Sequence, residues 1–293
     1  MRVPPPDGIA VVDKAAGWTS HDVVAKSRGI LGTRKVGHAG TLDPSATGVL
    51  VLGVGRATRL LRYLGDLPKS YVGEVVLGTE TNTLDADGEV TATHAMAGTT
   101  LADVQAAVPA FVGPILQVPP MVSAIQIGGR RLHELAREGI EVERPARPVT
   151  VHRFDVAPTD DPMVFRVEVD CSSGTYIRSL AADLGAALGG GAHLRNLRRT
   201  AVGQFTLAGA VPLEQLTAEA VQPPIVALAH LAQLVVGGEV AIAVGHGKVL
   251  PLDLLGAEGP GPWAVVTDAG ALLAVYAAHK AGTAKPDLVL APS

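Results

Sequence analysis

The sequence predicts an α+β protein in two parts, on three observations. Strict apolar/polar alternation, clearest in Val164-Phe165-Arg166-Val167-Glu168-Val169-Asp170-Cys171, marks strands whose two faces differ. Segments with apolar residues at helical spacing, such as residues 20–31 and 177–188, stand between such runs. Pro223-Pro224 then separates residues 1–222 from a tail, 223–293, of short apolar runs and turns.

In chain order, Gly8-Ile9-Ala10-Val11-Val12-Asp13-Lys14 reads as a short buried strand, and Gly17-Trp18-Thr19-Ser20 offers a turn and a helix N-cap. Val23, Val24, Ser27 and Leu31 then fit one helix face, with Gly32 where a left-handed cap would sit. Residues 49–54 are a strand candidate, and 57–64 a helix with Leu60, Leu61 and Leu64 on one face. Residues 71–77 alternate like a strand, and Asp85-Ala86-Asp87-Gly88 is a turn before a second short strand. A helix is expected over 101–111, a turn-rich then helical projecting insertion over 119–148, the strand 164–171, and the helix 177–188. In the tail the predicted strands are 239–244, 263–267, 272–276 and 288–290.

At 293 residues, with 47% hydrophobic and 18% charged positions, the chain has the makeup of a globular protein. The longest apolar stretch, near 224–245, is broken by His230, Gln233 and Glu239, so no membrane span is expected. Met1-Arg2-Val3-Pro4-Pro5-Pro6-Asp7 lacks the apolar core of a secretory signal, which predicts a cytoplasmic protein. With Cys171 the single cysteine, an intramolecular disulfide and a Cys-based zinc site are excluded. The nine histidines form no zinc-protease pair and no phosphate-cradling Gly-Lys-Ser/Thr loop is present, so neither metal nor nucleotide cofactor is expected.

A net charge of −4 argues mildly against nucleic-acid binding, but the distribution is uneven. Lys26, Arg28, Arg34, Lys35, Arg56, Arg59, Arg62 and Lys69 face only Asp43 and Asp66 over residues 26–69. A second cluster, Arg130, Arg131, Arg137, Arg144, Arg147 and Arg153, interleaves with Glu134, Glu138, Glu141 and Glu143, which also suits a salt-bridged helix face.

The run Gly37-His38-Ala39-Gly40-Thr41-Leu42-Asp43-Pro44-Ser45-Ala46-Thr47-Gly48 fixes one carboxylate in a glycine-bracketed turn between apolar segments. Glycine opens dihedrals closed to other residues, and Pro44 biases Asp43 toward an extended backbone. A simple capped turn would use the same residues, but the motif is longer than a cap needs. Extended through Val49-Leu50, it resembles the catalytic signature of the bacterial tRNA pseudouridine synthases that modify uridine 55 in the T arm, the pseudouridine synthase B family. The resemblance implies that Asp43 is the catalytic residue and that His38 helps hold the RNA around the target uridine.

Further segments from Asp13 to Phe205 match the same family. Ser172-Ser173-Gly174-Thr175-Tyr176-Ile177-Arg178-Ser179-Leu180 implies that Arg178 pairs with Asp43, with Tyr176 as pocket wall. A carboxylate drawn into a desolvated pocket would otherwise be pushed toward its neutral form, so an opposite charge is wanted there. Lys69-Ser70-Tyr71-Val72-Gly73 implies that Tyr71 stacks on the target uracil, and Arg195-Asn196-Leu197-Arg198-Arg199-Thr200 that Leu197 lines the pocket. Val12-Asp13-Lys14-Ala15-Ala16-Gly17 resembles the first motif, with Lys14 a structural or phosphate contact and Ala15 where a proline commonly stands. Pro119-Pro120-Met121-Val122-Ser123-Ala124 followed by Gly129-Arg130-Arg131 resembles the entry to an RNA-gripping insertion.

The resemblance thus implies a pseudouridine synthase fold: a mixed, mainly antiparallel sheet with a central cleft in residues 1–222, an insertion at about 119–148, and a small PUA-like RNA-binding domain at 223–293. The implied substrate is the T stem-loop of tRNA, with Lys14, Arg34, Lys35, Arg59, Arg130 and Arg131 as expected contacts to the RNA backbone. No cofactor, membrane or obligate protein partner is implied. A tRNA-binding or folding protein without catalysis would share the basic patches and the tail, but has no need of Asp43 together with Arg178. Glycoside hydrolysis by paired carboxylates fits poorly, since Asp43 is the only acid between Gly37 and Arg62.

Overall fold

Residues 7–123, 126–127, 129–132, 135, 138–140 and 142–290 are described by the computed structural model. Residues 1–6 of the N-terminal motif, and Ala124, Gly128, Glu134, Arg137 and Glu141 of the insertion, lie outside this set, as does the side chain of Arg131.

In order, the elements are β1 (Gly8–Lys14), α1 (Ser20–Leu31), β2 (Val36–Ala39), β3 (Thr47–Val54), a 3₁₀ helix (Gly55–Leu64), β4 (Lys69–Leu77), β5 (Thr79–Thr81), β6 (Val90–Thr93), α2 (Leu101–Ala107) and β7 (Gly113–Gln117). Then follow β8 (Gln126–Ile127), β9 (Arg130–Arg131), β10 (Arg147–Pro158), β11 (Val164–Cys171), α3 (Ile177–Ala187), β12 (Ala192–Val202), β13 (Phe205–Thr206) and β14 (Val211–Pro212). The tail holds β15 (Ala232–Val236), α4 (Gly238–Gly245), β16 (Leu250–Pro251), α5 (Leu252–Leu255), β17 (Trp263–Thr267), β18 (Leu272–Ala278) and β19 (Thr283–Val289). The class is α+β, with mixed, mainly antiparallel strand pairing.

Two compact units are present: residues 1–43, 49–65 and 204–293 form the first, and 44–48 and 66–203 the second. In the first, β1 lies between β14 and β3, and β2 pairs antiparallel with β3. Helix α1 starts on a capping box, in which Thr19 Oγ1 accepts the Asp22 N–H and the Asp22 carboxylate accepts the Thr19 N–H. It stops at Gly32, whose φ of 67° lets the chain turn out of the helix. Its buried face, Val23, Val24 and Leu31, packs on Ala10, Val12, Leu50 and Leu52 of the sheet. The tail sheet, ordered β15-β17-β18-β19-β16, encloses Trp263, Val265, Ala274 and Tyr276.

The second unit is a sheet ordered β12-β4-β11-β10-β7, antiparallel throughout. Residues Thr47 and Gly48, which belong to it, pair in parallel with Arg198 and Arg199 of β12. Strand β4 alternates buried and half-buried along its whole length, so Lys69, Tyr71, Gly73, Val75 and Leu77 share the buried face.

One predicted element needs correction, and two predicted helices are wholly or partly of the tighter 3₁₀ kind. Residues 239–244 are not a strand but most of helix α4, an apolar run without a polar face to reveal its period. Residues 57–64 fall in a 3₁₀ helix rather than an α-helix. The predicted helix 101–111 is α-helical only to Ala107 and tightens into a 3₁₀ turn over Val108–Phe111, where Pro109 has no N–H to continue the ladder.

Candidate functional site

In the first unit, Asp43 ends a short loop after β2, and the residue before it is clamped from helix α1. Ser20 Oγ accepts the Leu42 N–H at 2.9 Å and donates to the Leu42 carbonyl at 3.2 Å. Ser20 and Leu42 are both buried, so this two-point bond is shielded from water and orients the backbone that leads into Asp43. His38 sits in β2 opposite Leu52, and its ring meets that of His21 edge to face at 5.3 Å. Lys14 is fully buried and its ammonium donates to the carbonyls of Ala15 and Trp18 at 3.0 and 2.7 Å. These two bonds tie the turn before α1.

In the second unit, Arg178 is 4% exposed and anchored from three directions. Nη1 donates to the Thr83 carbonyl and Nη2 to the Val122 carbonyl, each at 2.8 Å, and Nη1 lies 3.4 Å from Asp85 Oδ2. A buried guanidinium must have its donors satisfied and its charge compensated, and these contacts contribute to both. Asp85 is brought there because residues 84–86 bond to β12 through Leu194 N–H to Leu84 and Ala86 N–H to Leu194. Tyr71, 9% exposed, pairs with Val169 on one side and Arg199 on the other. Leu197 reaches the same face of the sheet, its Cδ1 3.6 Å from where a Cβ on Gly73 would stand.

Tyr176 caps α3 without using its own side chain. Gln117, 2% exposed at the end of β7, holds its backbone instead: Oε1 accepts the Tyr176 N–H at 2.7 Å and Nε2 donates to the Tyr176 carbonyl at 3.0 Å. One amide side chain so fixes the start of the helix that carries Arg178. Beneath Tyr71, Lys69 donates to the Leu67 carbonyl, and burial, with Arg199 nearby, pushes its ammonium down to about 8. Burial also pushes the Cys171 thiol up to about 11.

The predicted RNA cations differ in their surroundings. Arg34 and Lys35 are exposed between α1 and β2. Arg59 is exposed, yet donates to the Val289 carbonyl at 2.8 Å. With three residues per turn, the 3₁₀ helix lines up Arg56, Arg59 and Arg62. Arg56 donates to Leu290 O and Arg62 to Asp287, so all three grip the end of β19. Arg130, in β9, forms an exposed ion pair with Glu138, which stands in a turn, so this pair is not on a helix face. Among the described residues, no group of three or more His, Cys, Asp or Glu side chains is arranged to hold a metal ion, and no helix is long and apolar enough to cross a membrane.

Sequence patterns did not single out Ser20, Gln117 or Asp85. Ser20 was legible only as part of a helix start and Asp85 only as a turn residue; Gln117 carried no signal, since a lone amide acquires meaning only from the backbone it meets.

Known proteins resemble this chain along its length. Residues 28–177 match the model of the TruB family pseudouridylate synthase (N terminal domain), and residues 178–239 that of the tRNA pseudouridylate synthase B C-terminal domain. The chain is 47% identical to the tRNA pseudouridine synthase B of Arthrobacter sp. (strain FB24), over 98% of this chain and 97% of that protein. It is 49% identical to that of Streptomyces coelicolor, over 96% of each. Among solved structures, a chain of an H/ACA RNP bound to a substrate RNA containing 2'-deoxyuridine matches with a TM-score of 0.75 and 26% identity, over 97% of this chain and 85% of that one. A Cbf5-Nop10-Gar1 complex holds a chain with a TM-score of 0.74 and 28% identity, over 98% and 84%.

Proposed function

This chain belongs to the TruB family of pseudouridylate synthases, and from that premise we propose that it isomerises uridine 55 in the T arm of tRNA to pseudouridine with Asp43 as its catalytic carboxylate. The fold is that of a pseudouridine synthase, and the activity class is a tRNA pseudouridine synthase, an isomerase. The observation that carries the assignment of Asp43 is its place in the signature turn, directly after a peptide clamped by a buried serine. A reacting group is most effective when its backbone is held before substrate arrives.

In this mechanism the N1 to C1′ bond of uridine breaks, the uracil turns, and C5 bonds to C1′ while N1 takes a proton and C5 releases its hydrogen. Redox state and composition are unchanged. Asp43 starts the sequence either as a nucleophile or by removing a sugar proton; both need it ionised, a task that the family resemblance gives to the Arg178 guanidinium. Asp85, Thr83 and Val122 hold that guanidinium in place. The uridine is flipped from its stack, Tyr71 stacks on it, Leu197 and Tyr176 wall the pocket, and His38 helps keep the loop open. Exposed Arg34 and Lys35, with Arg130 and Arg131, meet the phosphates of the T stem-loop, and residues 223–293 serve as an RNA-binding domain. The protein acts in the cytoplasm and needs no obligate protein partner.

Mapping pseudouridine in unmodified tRNA transcripts after incubation with the protein tests the assignment. Conversion at position 55 alone, lost when that uridine is replaced by cytidine, is expected. Conversion elsewhere in the tRNA with none at 55 would overturn it.

A further inference from the structure

We propose that Glu74 is a positioning residue: it fixes a one-residue β-bulge in β12 and so decides which face of the sheet Leu197 occupies. Arg195 pairs with Glu74 and Arg198 pairs with Val72, so three steps along β12 match two along β4. Asn196 and Leu197 therefore both stand opposite Gly73. In an unbroken strand, side chains alternate strictly, and Leu197 would share the face of Arg195 and Glu74. The extra residue reverses that, turning Leu197 to the face of Tyr71 and bringing Arg199 rather than Arg198 opposite Tyr71.

The inserted residue is Asn196, at φ 53°, a left-handed conformation that costs any residue with a Cβ and costs asparagine less than most. Glu74 holds it there. A single carboxylate oxygen, Oε2, accepts from Arg195 Nε at 2.6 Å and from Asn196 Nδ2 at 3.0 Å, joining the two residues at which the register changes. On the opposite face Leu197 packs over Gly73, its Cδ1 3.6 Å from where a Cβ would stand. Glu74 lies on the sheet face away from Tyr71 and acts only through the backbone of β12.

The inference rests on the reading of Leu197 as a pocket residue. Its test therefore uses the full chain in five forms: wild type, L197A, E74A, N196G and the double variant E74A/N196G. Turnover of tRNA transcripts would be measured alongside thermal unfolding and a crystal structure of E74A. L197A is expected to lose kcat. E74A is expected to lose about tenfold or more in kcat, with KM within about twofold, because the pocket wall is misplaced rather than the RNA surface. Adding N196G should restore most of that loss, since glycine adopts positive φ without the glutamate's help. A merely stabilising role for Glu74 would lower the melting temperature but leave kcat intact below it. Full kcat in E74A while L197A is impaired overturns the proposal. Should L197A keep full activity, the pocket reading of Leu197 falls, and the E74A crystal structure decides about Glu74 alone. A lost or shifted bulge supports the proposal, and an unchanged bulge with Asn196 still at positive φ overturns it.

Discussion

Replacing Gly48, the last residue of the signature turn, by alanine tests whether the turn is fixed by a close approach of two backbones. Gly48 has φ 101°, and a Cβ built on it would stand 2.1 Å from the Arg199 carbonyl oxygen and 2.9 Å from the Arg199 carbonyl carbon and amide nitrogen. Positive φ alone costs a residue with a Cβ roughly 1–2 kcal/mol. The overlap is with main chain, so no rotamer relieves it, and residues 47–48 must separate from β12. The Thr47–Arg198 and Gly48–Arg199 pairing then loosens, at about 1 kcal/mol per hydrogen bond. Together these give a destabilisation of about 3–5 kcal/mol, large for one methyl group. Urea denaturation of G48A beside G17A measures it, because Gly17 also has positive φ (82°) but nothing within 4 Å of its would-be Cβ. G17A should lose only about 1–2 kcal/mol, the strain alone. Equal losses in the two variants would refute the close-approach explanation.

Three further predictions follow from particular contacts. Because burial lowers the Lys69 ammonium to about 8 from 10.5, the unfolded chain binds more protons between those values, and stability should rise with pH across that window. K69M should flatten this rise in pH-dependent denaturation; an unchanged slope would contradict the assignment. Gln117→Glu keeps size but loses the donor to Tyr176 O and sets a carboxylate against that carbonyl, which should cost roughly 1–3 kcal/mol by denaturant titration; wild-type stability would show the clamp to be dispensable. In tRNA binding, Arg34→Ala and Lys35→Ala should each reduce the slope of log affinity against log salt by about 0.7–0.9, whereas Arg59→Ala should change it little because Arg59 is engaged with Val289. A full unit lost with Arg59→Ala would return that side chain to the RNA.

What the sequence could disclose depended on how local the cause was. Helix α1 was legible from its Thr19 start to its Gly32 stop because both caps are set by residues within one turn. Strand β11 was legible because one face is buried and the other is not. Strands β10 and β12 escaped, since their arginines and bulges break the alternation that a strand is recognised by. The helix at 57–64 was legible from leucines 60, 61 and 64, but its 3₁₀ form was not; in that form Arg56, Arg59 and Arg62 line up toward the end of β19. Of the candidate residues, Asp43, Tyr71, Arg178 and Leu197 were named through motif resemblance. Their supports, Ser20, Asp85 and Gln117, act on partners 22, 93 and 59 residues away. No pattern within a short window can display such a pairing.

The most direct measurement is release of the C5 hydrogen from tRNA transcripts carrying tritium at uracil C5, with wild-type protein and with Asp43→Asn at equal bound fraction. Asparagine keeps the shape of the side chain but can neither attack as an anion nor take a proton. The expected result is that Asp43→Asn binds the transcript as wild type does and releases no tritium above background. Release at the wild-type rate would show that the chemistry resides elsewhere in the chain.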